Sequence, residues 1–191
     1  MARLVPEDPA TFEAAAWAEL AAAVRDREHA WRQAALATLD PDLGPCVRTV
    51  VLREADAAAR ELLIYTDTRS PKVRQLCAEP RAELLCWSRP LGWQLRLRGL
   101  VEVVADGLEV TARWARLRHT PAAQDYLSPL SPGSPWPGAG PEPAAGGARG
   151  CFGVLRLSVR SMDGLWLGAD GHRRMAWALR DGAGVAQRLV P

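Results

Sequence analysis

Apolar residues first recur at fourfold spacing: Phe12, Ala16, Leu20 and Val24, with Trp17 alongside. That period predicts an amphipathic helix. Asp8-Pro9 supplies a cap and a first-turn proline, so the helix opens there and runs to about residue 26. The stretch "WRQAALATLD" would tolerate a helix, but the turn signal "DPDLG" follows at once. We therefore read 32–39 as a strand. "CVRTVVLR" (46–53) is rich in β-branched residues and reads as a strand, with "ELLIYT" (61–66) as its hairpin partner across "EADAAAR". Ser70-Pro71 opens a short helix that stops at Glu79 before Pro80. "AELLCWS" (82–88) is a further strand. In "WQLRLRGLVEVV" (93–104), Leu95, Leu97, Val101 and Val103 alternate with Gln94, Arg96, Arg98 and Glu102, the period of a half-buried strand.

Asp106-x-x-Glu109 predicts a capped helix to about 118, with Val110, Trp114 and Leu117 as its apolar stripe. Residues 127–150 are dominated by Pro and Gly and predict a long loop. Strands resume at "FGVLRLSV", near "GLWLG", at "RRMAWALR" and at "GVAQRLV". Many strands, few helices and no βαβ alternation predict a mainly β, antiparallel fold that closes or nearly closes on itself, as one domain over 1–191.

Composition narrows the class. A chain of 191 residues with 48% hydrophobic and 24% charged residues can bury a substantial core. A net charge of +2, with the arginines dispersed, implies no nucleic-acid partner. No leader and no apolar run of membrane-spanning length is evident, so a cytoplasmic protein without membrane contact is expected. Cys46, Cys77, Cys86 and Cys151 form no metal-ligand spacing and are expected to be single buried thiols, a Cys77–Cys86 disulfide being the remote alternative.

The candidate chemistry begins at "YTDTRSPK". A strand end runs through a polar turn into a helix start, and Lys72, the sole lysine, sits in that turn. Helix N-termini favour anions, and Thr66, Ser70 and Lys72 would complete a phosphate site, with Arg48 as a second cation. The plainer reading is ordinary Ser-Pro capping with Lys72 in solvent. Arg48 and Arg53 lie five apart, so an ideal strand turns them to opposite faces unless it twists or bulges, or unless Arg53 lies beyond its end.

"RTVVLR", "YTDTRSPK", "EPRAELLCW", "WQLRLRGLVE" and "GLWLGADGHRRMAW…QRLVP", in that order, resemble the pyridoxamine 5′-phosphate oxidase-like family of FMN-binding split β-barrels, over about residues 30–104 and 151–191. The resemblance implies a homodimer with FMN at the subunit interface. It implies FMN contacts from Arg48, the backbone of Val50 and Val51, Arg53, Tyr65, Thr66, Ser70, Lys72, Gln94 of the other subunit, Trp166 and Arg174. Arg53 and His172 would face a small-molecule substrate. The implied activity is hydride transfer between that substrate and FMN; no side chain is assigned as a catalytic acid or base.

Departures from the family pattern are equally specific. The arginine between the family's serine and lysine is Pro71 here. The family's Arg-x-His-x-Arg becomes "DGHRR", with Asp170 in place of the first arginine, and the segment from Trp166 is two residues shorter. The Tyr, Arg and Ser that hold the substrate phosphate have no match in "TARWARLRHTPAAQ", where Arg113, Arg116 or Arg118 are the available substitutes; Ser131 is a candidate for the contacts of the Pro/Gly region. These changes keep two alternatives open: a non-catalytic flavin carrier, sensor or storage protein, and a split barrel using deazaflavin or haem.

Overall fold

A computed structural model describes residues 8–135, 138 and 149–191. Helix α1 (Pro9–Arg25) starts where Asp8 accepts a hydrogen bond from the Ala10 N–H, and buries Phe12, Ala16, Trp17 and Leu20. After a single 3₁₀ turn at Ala30–Arg32 come strands β1 (Gln33–Asp40), β2 (Gly44–Asp56) and β3 (Glu61–Asp67). Helix α2 (Pro71–Ala78) leads to β4 (Arg81–Ser88) and β5 (Trp93–Val104). Helix α3 (Leu108–Leu117) precedes β6 (Phe152–Gly168), β7 (Gly171–Arg180) and β8 (Ala183–Leu189).

All pairings are antiparallel, in the order β3-β2-β1-β4-β5-β6-β7-β8, and β3 also pairs with β6. The expected closure is thus a ring of six strands, from which β7 and β8 extend. The segments "FGVLRLSV" and "GLWLG" are not two strands but one of 17 residues. The first half of β6 pairs with β3 and the second with β7, while β5 follows both halves. The β5–β6 register shifts between Arg98 and Gly99. There the backbones come so close that a Cβ on Gly99 would collide with the Ser158 carbonyl.

The ring interior is filled by the inward rows, among them Leu36, Leu52, Leu62, Ile64, Leu84, Leu95, Leu97 and Leu157. Trp31, Trp93 and Trp166 join this core, with Trp93 stacked on Trp166 at 4.4 Å between ring centroids. A second cluster of Leu63, Val110, Trp114, Tyr126, Phe152 and Val154 lies under α3. Each fully buried large side chain contributes about 1.5–3 kcal/mol, so the two clusters hold the ring and α3 in place.

Two expectations change. The cap of α3 is Gly107 at φ 91°, with no side-chain bond, rather than Asp106. Glu109 is taken by Arg156 and Arg113 and does not reach back to cap. The four cysteines are free, but Cys86 alone is buried; Cys77 is exposed, and Cys46 and Cys151 are half-buried. Of the Pro/Gly loop expected at 127–150, residues 127–135 hold no helix or strand and the far end enters a 3₁₀ turn at Arg149–Cys151; 136–137 and 139–148 lie outside the described residues. Among the described residues no helix is long and apolar enough to cross a membrane.

Candidate functional site

The inward side chains of β1 alternate as Ala34, Leu36, Thr38 and Asp40, turning from apolar to polar where α2 covers the end of the ring. Arg48 occupies the same level of β2, opposite Leu36. Its guanidinium donates to the Thr38 hydroxyl, to Gln75 Oε1 (2.8 Å) and to the carbonyls of Leu36 and Cys46. Gln75, one turn after Lys72 on α2, accepts from both Thr38 (2.7 Å) and Arg48, and donates to Asp40 (2.9 Å). Arg48 is thereby oriented by neutral partners.

Beside it, β3 ends in Thr66 and the turn leads to Ser70, both buried. Ser70 has the extended backbone of an N-cap, but its hydroxyl makes no helix bond. Instead Ser70 Oγ accepts from Lys72 Nζ at 3.0 Å and lies 3.3 Å from Thr66 Oγ1. Burial, and then the Arg48 charge, hold the Lys72 ammonium below its ordinary pKa. Burial likewise lowers Arg48. Asp67, the neighbouring acid, is clamped by Arg69 through two bonds of 3.0 and 2.7 Å. Among the described residues, neither Arg48 nor Lys72 pairs with a carboxylate. Two half-buried cations not paired with a carboxylate, with hydroxyls beside them, could hold an oxyanion such as a phosphate.

The β2–β3 register shifts between Leu52 and Glu54, so Arg53 sits in a bulge. The strand thus has the irregularity that two arginines five apart require to serve one ligand. Val50 points into the core, while Val51 and Arg53 line an open cavity of about 420 Å³. The Arg53 guanidinium lies 5.5 Å from the Tyr65 ring centre, and its Nε is buried without a partner. Tyr65 donates to Glu54 (3.1 Å); burial, and then the Glu54 charge, push its phenol up to about 12.

The remaining expected site residues lie on β5–β7. Gln94, Leu165 and Arg174 form one cross-strand row. Arg174 is held by Asp163 through bonds of 3.0 and 2.7 Å. His172 is exposed near the start of β7, opposite Leu167, and Asp170 is exposed in the preceding turn. Trp166 faces the other way, 3% exposed, with its ring against Trp93 and Phe12. Among the described residues, no hydrogen bond joins Gln94, His172 or Arg174 to the Arg48–Lys72 corner. One chain therefore gathers the expected residues into two separate groups.

Residues 14–105 match the family model for the FMN-binding domain of pyridoxamine 5′-phosphate oxidase. Over this stretch, just under half of its length, the chain is similar to the pyridoxamine 5′-phosphate oxidase family. Curated relatives named pyridoxine/pyridoxamine 5′-phosphate oxidase are 45% identical over 71 residues in Azorhizobium caulinodans and 39% over 99 residues in Caulobacter vibrioides. Those matches cover 37% and 50% of this chain, and 32% and 43% of the relatives, so less than half of either relative is spanned.

The fold likeness extends further. A pyridoxamine 5′-phosphate oxidase-related, FMN-binding protein from Nostoc punctiforme superposes with a TM-score of 0.76 at 24% identity, covering 92% of this chain and 96% of that one. PhzG from Burkholderia lata, solved with tetrahydrophenazine-1-carboxylic acid, gives 0.72 at 22% identity, covering 97% and 94%. In this family setting, sequence reasoning had missed Thr38 and Gln75. Their signals were a hydroxyl on the apolar side of β1 and a glutamine three residues after Lys72 on one helix face.

Proposed function

We propose that this chain is an FMN-dependent oxidoreductase acting on a small reduced substrate. The observation that supports it is the carboxylate-free pair of Arg48 and Lys72, set beside Thr66 and Ser70 within the stretch that matches the FMN-binding domain. The residues fit the group: the two cations and two hydroxyls would hold the FMN phosphate. The backbone of Val50 and Val51 would run along the flavin, and Arg53 and Tyr65 would stand beside it. When bound, FMN supplies a two-electron acceptor for a hydride from the substrate. The chain's own part is to bind and orient both molecules and to exclude water from between them.

The β5–β7 group finds a role in a homodimer, where Gln94 and Arg174 of one subunit would complete the flavin site of the other. His172 would face the substrate, and Trp166 would act from within the core by supporting the strands that carry Gln94 and Arg174. Asp170, standing where the family has arginine, favours a second reading in which flavin is bound without turnover. An absorbance spectrum of the purified protein, then FMN titration and a substrate screen, tests all of this. Flavin bands or saturable FMN binding are expected; absence of both overturns the reading, and binding without turnover selects the second. Light scattering should give a dimer, and a monomer that still binds FMN contradicts the shared site.

A further inference from the structure

The turn between β3 and α2 places a carboxylate beside the two open cations. Asp67 is buried, and its carbonyl accepts from the Thr66 hydroxyl (3.2 Å) and the Ser70 N–H (3.1 Å). It is therefore part of the same corner. Burial and Arg48 lower the Lys72 pKa, and the Asp67 charge opposes them. A buried carboxylate needs a counter-ion, and Lys72 could serve as one. Asp67 is instead engaged by Arg69. The Arg69 backbone N–H (2.8 Å) and Nε (3.0 Å) donate to Asp67 Oδ1, and a terminal nitrogen donates to Oδ2 (2.7 Å). The same guanidinium donates to the carbonyls of Ser128 (2.8 Å) and Pro129 (3.2 Å). The segment that supplies these carbonyls goes on to pass the first turn of α2, where a Cβ on Gly133 would stand 3.6 Å from the Pro71 ring.

We infer that Arg69 is a positioning residue for the anion site: by engaging both oxygens of Asp67 it keeps Lys72 free for the ligand's phosphate, and the Ser128 and Pro129 carbonyls hold it in place. The inference rests on the oxidoreductase reading only in naming FMN as the ligand. A guanidinium fork matches a carboxylate through two bonds, whereas an ammonium meets it as a point charge, so the acid is better served by Arg69 than by Lys72. Lys72 is left with the Ser70 hydroxyl as its partner. Asp67 and Arg69 cancel each other, and the charges of Arg48 and Lys72 remain for an incoming anion.

Lys72 is the only lysine, so isotope-labelled lysine gives a single side-chain NMR signal whose titration reports on this corner directly. Arg69→Ala bares the Asp67 charge; it should raise the Lys72 pKa by about one pH unit and weaken FMN about tenfold. Asp67→Asn should act in the opposite direction, lowering the Lys72 pKa and leaving FMN bound as tightly or more so. The double variant should return both readings close to those of the unaltered protein. A merely structural role would make each single substitution loosen FMN, with no recovery in the double. Where Arg69→Ala does not fold, Arg69→Gln, which keeps a donor but no charge, replaces it. A Lys72 pKa unmoved by loss of the Arg69 charge, or FMN loosened alike by both single substitutions, overturns the inference. If the unaltered protein binds no FMN, the FMN reading falls, while the Lys72 titration still decides the role of Arg69.

Discussion

The α2 corner and the outer face of β5–β7 carry similar numbers of cations and treat them oppositely. On the face, Arg96 pairs with Glu83 at 2.6 Å, Arg98 shares the same carboxylate, and Arg174 pairs with Asp163 at 2.7 Å. In the corner, Arg48 and Lys72 have hydroxyl, amide and carbonyl partners, and no carboxylate. The face is electrostatically closed; the corner is open. A cation held half-buried without a counter-ion disfavours the empty state and favours whatever anion arrives. Charge on the face is neutralised within the chain, and charge in the corner is left over.

The largest effect should come from removing the open charges. Lys72→Ala and Arg48→Ala should each loosen FMN by about 1.5–3 kcal/mol, the range for charge-assisted bonds to a desolvated phosphate, or roughly ten- to a hundredfold in Kd. Fluorescence titration with FMN measures it. Unchanged affinity in both variants would remove the corner's claim to the phosphate. Arg81→Ala, an exposed cation paired with Glu79, is the matching control and should leave FMN affinity alone.

The open corner also predicts a pH dependence of comparable size. Lys72 holds its proton less tightly in the folded protein than its ordinary value of 10.5, through burial and then Arg48. Between the lowered value and 10.5, the unfolded chain binds the proton and the native chain does not, so this group's contribution to stability rises with pH across that window. A bound phosphate favours the charged form and reverses the preference. FMN binding should therefore take up a proton there, and affinity should fall as pH rises through the free protein's Lys72 pKa. Lys72→Arg should flatten the profile, since arginine stays charged. A sloping profile that survives Lys72→Arg would assign the titration elsewhere.

How far the sequence carried differs between the two regions. The alternation in β5 and the apolar stripe of α3 were legible because one-sided burial imposes a period. The corner was legible as a list of donors, Thr66, Ser70 and Lys72, since they cluster in eight residues. What orients them was not: Thr38 and Gln75 meet Arg48 only because β1 and α2 close over one end of the ring. The continuity of β6 was hidden for the same reason, as its change of partner from β3 to β7 leaves no local mark. Gln75→Leu tests this layer. It leaves Arg48, Thr38 and Asp40 each short of a partner, so about 1–2 kcal/mol of stability should be lost in urea unfolding. FMN should loosen less than in Arg48→Ala, because the cation remains. Equal losses would mean that Gln75 carries the site directly.

The smallest effect should come from the closed face, and it sharpens the contrast most. Arg174 is already neutralised by Asp163, so any bond it makes to flavin would be drawn from a satisfied group. Arg174→Ala should weaken FMN by about 0.5–1 kcal/mol, the net value of an ordinary hydrogen bond, and Asp163 would keep Arg96 at 3.8 Å as its remaining cation. In a shared dimer site this loss should couple to that of Gln94→Ala, which lies in the same cross-strand row, so that the double variant departs from the sum of the single ones. If Arg174→Ala instead cost as much as Lys72→Ala, Arg174 would have to leave Asp163 to meet the ligand. The face would then be as much an anion site as the corner, and the division between saturated and unsaturated charge would fail.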